Sequence, residues 1–243
     1  MKILVIGESC IDIFQYGTSV RLCPEAPVPV FNSIEQSEIG GMAKNVYNNI
    51  SALGASVELH TNPNWKNITK TRIVDKRTNH MFLRIDVNDG DYGTCSLSDI
   101  DFSKYDAVVV SDYNKGFITT KDLKEISESH ALTFLDTKKD FGPWAHNFTF
   151  IKINNSEYEK NKKNINDQIR ERLIVTQGPN GCVYQGKNYE VPLVEIKDTS
   201  GAGDTFISAL CVQYCREENI HKAIEFANKC ATTVVQKRGV SVI

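Results

Sequence analysis

The segment Asp198-Thr199-Ser200-Gly201-Ala202-Gly203-Asp204-Thr205 runs directly into an apolar stretch of helical period that begins at Phe206. Gly201 and Gly203 carry no Cβ, so backbone N–H groups there can turn toward a ligand and approach it closely. They do so where a helix begins, and a helix N-terminus favours anions. Asp204 reads two ways. It is either an ordinary capping aspartate or a carboxylate beside a bound phosphate, able to take the proton from an attacking hydroxyl.

Outward from that segment, strand-like and helix-like stretches alternate. Residues 2–6 form an apolar, β-branched run ended by Gly7, which suits a strand buried on both faces. Tyr105 to Val110, His130 to Leu135, Phe148 to Ile153 and Leu173 to Thr176 repeat that character. Met42, Val46, Ile50 and Leu53 recur at helical spacing before Gly54, and Thr205 to Cys215 and Ile220 to Val235 keep the same period. Such alternation predicts a doubly wound α/β fold, with a mainly parallel sheet between helices. Two regions break the rhythm. Residues 13–36 read as extended segments around Pro24, Pro27 and Pro29, and residues 68–86 as a hairpin turning at Lys76 to Asn79. These four strands have no room in the core and are placed as a small β-sheet lid at its edge. Asn155 to Arg172, rich in Asn, Lys and charge, is expected to be a solvated helix.

Composition excludes several classes. A chain of 243 residues with 41% hydrophobic and 24% charged residues is that of a globular protein, not a disordered or fibrous one. A net charge of −2 gives no bulk drive toward nucleic acid or anionic membrane. Seven cysteines without a CxxC pair, and five scattered histidines, offer neither a disulfide framework nor zinc spacing. No apolar run reaches the ~18 residues of a membrane span, and the apolar N-terminus is too short for a signal peptide. A cytoplasmic protein is expected.

Two further features point to a ligand. Gly40-Gly41-Met42-Ala43-Lys44-Asn45 again opens a helix after an extended run, and Asn45 offers both donor and acceptor to hydroxyl groups. Asp12 lies six residues past the first strand, at the end where open α/β sheets bind ligands. Each alone reads equally well as a turn.

Taken together and in this order, Asp12, GGMAKN and DTSGAGD resemble the two signatures of the ribokinase/PfkB family of sugar kinases over nearly the whole chain. Pro24 to Val30 (PEAPVPV) and Ser111 to Gly116 (SDYNKG) are similar to the branch that makes ADP-heptose, whose kinase half phosphorylates D-glycero-β-D-manno-heptose 7-phosphate at O1. Arg84-Ile85-Asp86, Asp136-Thr137-Lys138 and Asn154-Asn155-Ser156-Glu157 echo it. The resemblance implies a single kinase domain over 1–243 with lid strands within 13–36 and 68–86, using ATP and magnesium. It implies Asp204 as base with Gly201, Ala202 and Gly203 as anion hole. Asp12, Gly40, Gly41 and Asn45 would meet the sugar. Arg84, Arg72, Lys115 and Lys138 would face phosphate or sugar, unless they are surface lysines and a lid salt bridge. Asn154, Glu157, Thr176, Gly178, Gly181 and Asn228 would line the nucleotide site, with Glu157 near magnesium mainly through water. It also implies a sugar phosphate as partner and a homodimer through the lid.

The chain departs from that pattern. It is short, with almost nothing between Gly54-Ala55 and the 68–86 hairpin, and the helix after Asp101 and the segment after Glu157 are curtailed. Thr137 and Ile153 stand where prolines are expected and Lys139 where a glycine is. No His-X-Gly-His occurs, so the nucleotidyltransferase half is not expected within these residues. A kinase for another sugar, or a non-catalytic sugar- or nucleotide-binding relative, are the rival readings.

Overall fold

A computed structural model describes all of Met1–Ile243. The N-terminal apolar run forms β1 (Lys2–Gly7). Successive side chains point to opposite faces, so Ile3 and Val5 enter one apolar cluster and Leu4 and Ile6 another across the sheet. The chain then forms β2 (Ser9–Leu22), which pairs antiparallel with β3 (Pro29–Met42). Helix α1 (Ala43–Ala52) leads back to β4 (Ser56–His60), which lies parallel to β1. The hairpin β5 (Thr69–Asp75) and β6 (Met81–Val87) adds β5 parallel to β2. These strands make a separate four-stranded sheet of order β3-β2-β5-β6.

The rest builds the main sheet. In order come β7 (Ala107–Asp112), α2 (Thr120–Ser129), β8 (Thr133–Thr137), β9 (Phe150–Asn154), α3 (Asn155–Asn161) and α4 (Asp167–Arg170). They are followed by β10 (Leu173–Thr176), β11 (Cys182–Tyr184), β12 (Lys187–Tyr189), α5 (Ala202–Glu217) and α6 (Ile220–Val234). The sheet order is β12-β11-β10-β9-β8-β7-β1-β4. It is parallel from β10 to β4, with β11 and β12 antiparallel at one edge. One face packs α1, α5 and α6 through Val46, Ile50, Phe206, Leu210 and Ile224. The other packs α2 and α4 through Leu123, Ile126 and Ile169. No helix is long and apolar enough to cross a membrane.

The α/β architecture and the separate sheet match the expectation from sequence, with corrections. The lid strands are longer than expected: β2 starts at Ser9 and β3 ends at Met42. The stretch after Ala55 holds β4, an edge strand of the main sheet. Asn155 to Arg172 is not one helix. It breaks at Lys162–Asn164, and Asn166 caps a second short helix by accepting from the Ile169 N–H at 3.0 Å.

Candidate active site

Helix α5 starts from Gly201, whose φ of +81° is left-handed. A Cβ there would also stand 2.7 Å from Asn45 Nδ2, so both turn and close approach require glycine. Asp204 lies in the first turn, but the N-cap position belongs to Gly201 and no side chain caps it. The plain capping reading of Asp204 therefore fails. Its side chain is buried, 5% exposed, and each carboxylate oxygen holds one donor. Asn45 Nδ2 donates to Oδ2 at 2.9 Å and Tyr113 Oη donates to Oδ1 at 2.8 Å. Burial pushes this carboxyl up to about 6, with the Asp136 charge adding and the two donors and Lys152 opposing.

Asn45 is aimed by its own helix. One turn on, Asn49 Nδ2 donates to the Asn45 carbonyl at 2.9 Å and to Asn45 Oδ1 at 3.2 Å, which leaves the Asn45 amide N–H for Asp204. Asn49 Oδ1 in turn accepts from Thr205 Oγ1 at 3.2 Å, and Ser208 Oγ donates to the Val46 carbonyl at 3.1 Å. A polar seam thus locks α1 to α5 beside Asp204.

Strand β9 brings a residue the sequence reading did not single out. Phe150 joins the cluster under α5 and Ile151 and Ile153 the opposite one, so the period of two turns Lys152 toward α5. Its side chain is 5% exposed and pairs with Asp136 Oδ2 at 2.7 Å. Its Nζ lies 2.8 Å from where a Cβ on Gly203 would stand, placing a buried ammonium against the glycine loop. The available signal was a lysine in the middle of a buried apolar strand, which needs a partner. Tyr113 lies within Ser111–Gly116 and carries no sequence signal of its own.

The lid side is dense with ion pairs. Asp12 lies on β2, not in a turn after β1. It pairs with Arg72, and Gly41 leaves it room, since a Cβ there would come 2.0 Å from Asp12 Oδ2. Gly40 faces Lys44 in the same turn. Arg84 makes two bonds to Asp86, at 2.7 and 2.8 Å, which is the lid-face salt bridge. Lys115 pairs with Asp89 at 2.6 Å, and Asp89 also holds Lys70. Lys138 has no carboxylate partner and stands 3.9 Å over the Tyr113 ring. Between the lid and the segment before α5 lies a cavity of about 370 Å³ lined by Phe14, Arg72, Asn79, Asp198 and Ser200.

A second cavity, about 220 Å³ and mostly apolar, opens on the other side of the glycine loop. Thr176, Gly178, Gly181 and Asn228 line it with Ala202 and Gly203. Asn154 and Glu157, at the end of β9, form a reciprocal capping box at the start of α3, with bonds of 2.8 and 2.9 Å. That uses Glu157 Oε2 and leaves Oε1. The glycine-loop segment thus borders both cavities, through Thr199 and Ser200 on one side and Thr199, Ala202 and Gly203 on the other, while Asp204 and Lys152 lie behind it and line neither.

Residues 108–242 match the model of the pfkB family carbohydrate kinases. The chain is 30% identical to Bifunctional protein HldE of Helicobacter acinonychis and 31% identical to that of Helicobacter pylori strain J99, over 98% of its own length. It spans 63% of the length of these curated relatives. Among solved structures it is similar to ribokinase from Thermotoga maritima (TM-score 0.69, 18% identity, 98% of this chain and 94% of that one). It is also similar to Arabidopsis thaliana ribokinase complexed with ribose and ATP (TM-score 0.72, 14% identity, 98% and 93%). The fold is ribokinase-like.

Proposed function

The chain belongs to the pfkB family of carbohydrate kinases, and from that premise we propose that it transfers a phosphoryl group from ATP to O1 of D-glycero-β-D-manno-heptose 7-phosphate. One observation carries the catalytic part: a buried carboxylate at the first turn of α5, held on both oxygens and standing beside a glycine loop. The acceptor is supported by the likeness of Pro24–Val30 and Ser111–Gly116 to the heptose branch and by the HldE relatives.

Phosphoryl transfer needs alignment, charge neutralisation and a hydroxyl made nucleophilic. Asp204 accepts the proton from the sugar hydroxyl. The N–H groups at 201–203, at the positive end of α5, meet the charge that develops on the transferred group. Lys152 adds a fixed positive charge on the same side. The apolar cavity suits a nucleobase, and the polar one under the lid suits a sugar. Residues 1–243 act as one domain whose lid excludes water from the site.

Magnesium fits the donor set in one respect. No group of three or more His, Cys, Asp or Glu residues could hold a metal alone, but Glu157 keeps one carboxylate oxygen available. Mg²⁺ retains waters and takes few carboxylates, so Glu157 would hold it mainly through water. Bound there, the ion would neutralise phosphate charge.

The lid leaves apolar side chains exposed, with Val20 72%, Leu22 65%, Ile34 59% and Leu83 54% exposed. We propose that two copies pair through it.

Labelled ATP presented with a panel of acceptors tests the function. Heptose 7-phosphate should be turned over fastest. Preference for another sugar or sugar phosphate would overturn the acceptor. Sugar binding by calorimetry with no turnover of any acceptor would overturn the enzyme.

A further inference from the structure

The segment that carries Tyr113 is tied down far more heavily than a loop between β7 and α2 needs for the fold. Glu8, fully buried, accepts from the Tyr113 N–H at 2.9 Å and the Lys115 N–H at 3.1 Å. Asp112, with no exposed side-chain surface, accepts from the Asn114 N–H at 3.0 Å and pairs with Lys139 at 2.8 Å. The Thr137 hydroxyl donates to its other oxygen. Thr137 and Lys139 thus both converge on Asp112. Two buried carboxylates close to one another are unfavourable unless hydrogen-bonded and paired, and here the partners that satisfy them set the backbone on either side of Tyr113.

We infer that Tyr113 is a positioning residue for the base: its hydroxyl, together with Asn45, fixes the Asp204 carboxylate and keeps it ionised, and the Glu8–Asp112–Lys139 network aims it. This rests on the reading of Asp204 as base. An ionised carboxylate has about four lone-pair sites, so two donors leave room for the sugar hydroxyl. With one donor removed, the same burial would favour the protonated acid, which is no base. The phenol stays a donor, because burial and the facing Asp204 charge push its own proton affinity up.

The other groups facing Asp204 come from the neighbouring elements: Asp136 from β8, Lys152 from β9, Lys138 after β8 and Cys10 from β2, while Asp12 of β2 faces Tyr113 and Cys10. Asp136 and Lys152 are paired with each other. None of these contacts Asp204 through the Tyr113 hydroxyl, so its removal isolates one bond.

The test is a carbon-13 carboxylate titration of protein labelled at aspartate, with the Asp204 resonance assigned by its loss in Asp204→Asn. In Tyr113→Phe the Asp204 midpoint should rise by about one pH unit, the size a hydrogen bond to a charged group supports. The acidic limb of phosphoryl transfer from ATP to heptose 7-phosphate should move with it. An unmoved midpoint in folded Tyr113→Phe would overturn the inference and leave Asp204 as base. Full turnover in Asp204→Asn would overturn the base reading itself, whatever the titration shows. Lys139→Met, which frees the loop and keeps the phenol, should give a smaller rise of the same sign; a shift equal to zero would remove the network from the inference.

Discussion

On the proposed reading of Asp204 as base, catalysis and stability pull on it in opposite directions. Its carboxyl, at about 6 in the folded chain against an ordinary 3.8, contributes to stability fully below 3.8, and that contribution is lost as pH rises through 6. At pH 8 the ionised group costs the fold roughly 3 kcal/mol. Asp204→Asn should therefore be more stable relative to wild type at pH 8 than at pH 5, read by thermal or denaturant unfolding at both. A difference of opposite slope would show that the carboxylate is not held against its preference. A base works only when ionised, so on the proposed reading turnover should fall as pH drops below about 6. Gly201→Ala would put a methyl against the Asn45 amide at a left-handed backbone position. It should lower stability by about 1–3 kcal/mol and lower turnover as well, since Asn45 is displaced from the base.

Among the elements, the α1–α5 seam is where packing becomes chemistry. Asn49 touches no part of either cavity, yet it orients Asn45 and meets Thr205. Asn49→Ala should cost about 1–3 kcal/mol for the partners it leaves unsatisfied. It should also reduce the turnover number more than it raises KM, which steady-state kinetics can separate. The elements differ in how readable they were. β1, β7, β8, β9 and β10 announce themselves because strands buried on both faces are continuous apolar runs. β4 (SVELH), a half-exposed edge strand, and β11 and β12, three residues each, lack such runs and had no signal of that kind. The helix expected over Asn155 to Arg172 fails at Lys162–Asn164 because two asparagine side chains favour other bonds there. Asn161 turns to the Phe141 N–H and Asn166 caps a new helix. In the site, Asp204, Asn45 and the glycines were legible from local spacing. Lys152 and Tyr113 were not, because what they do depends on which strands lie side by side.

At the scale of the molecule, the two sheets divide the labour. Asp204, the glycine loop and the apolar cavity belong with the main sheet, while the lid carries Asp12 and Arg84 and sets Phe14 and Arg72 against the second cavity. β6 is exposed along its whole length, an edge that invites pairing. Light scattering should find a dimer, and Leu83→Lys should yield monomer. A wild-type monomer at working concentrations would contradict the pairing. The chain spans 63% of the length of its curated relatives.

The central claim is that the Asp204 carboxylate takes the proton from the sugar hydroxyl as the phosphoryl group moves. The direct measurement is the turnover of Asp204→Asn with ATP and heptose 7-phosphate, beside its affinity for ATP. The account predicts a fall of roughly 10²–10⁴ in turnover with ATP affinity nearly unchanged. Undiminished turnover in that variant would contradict it.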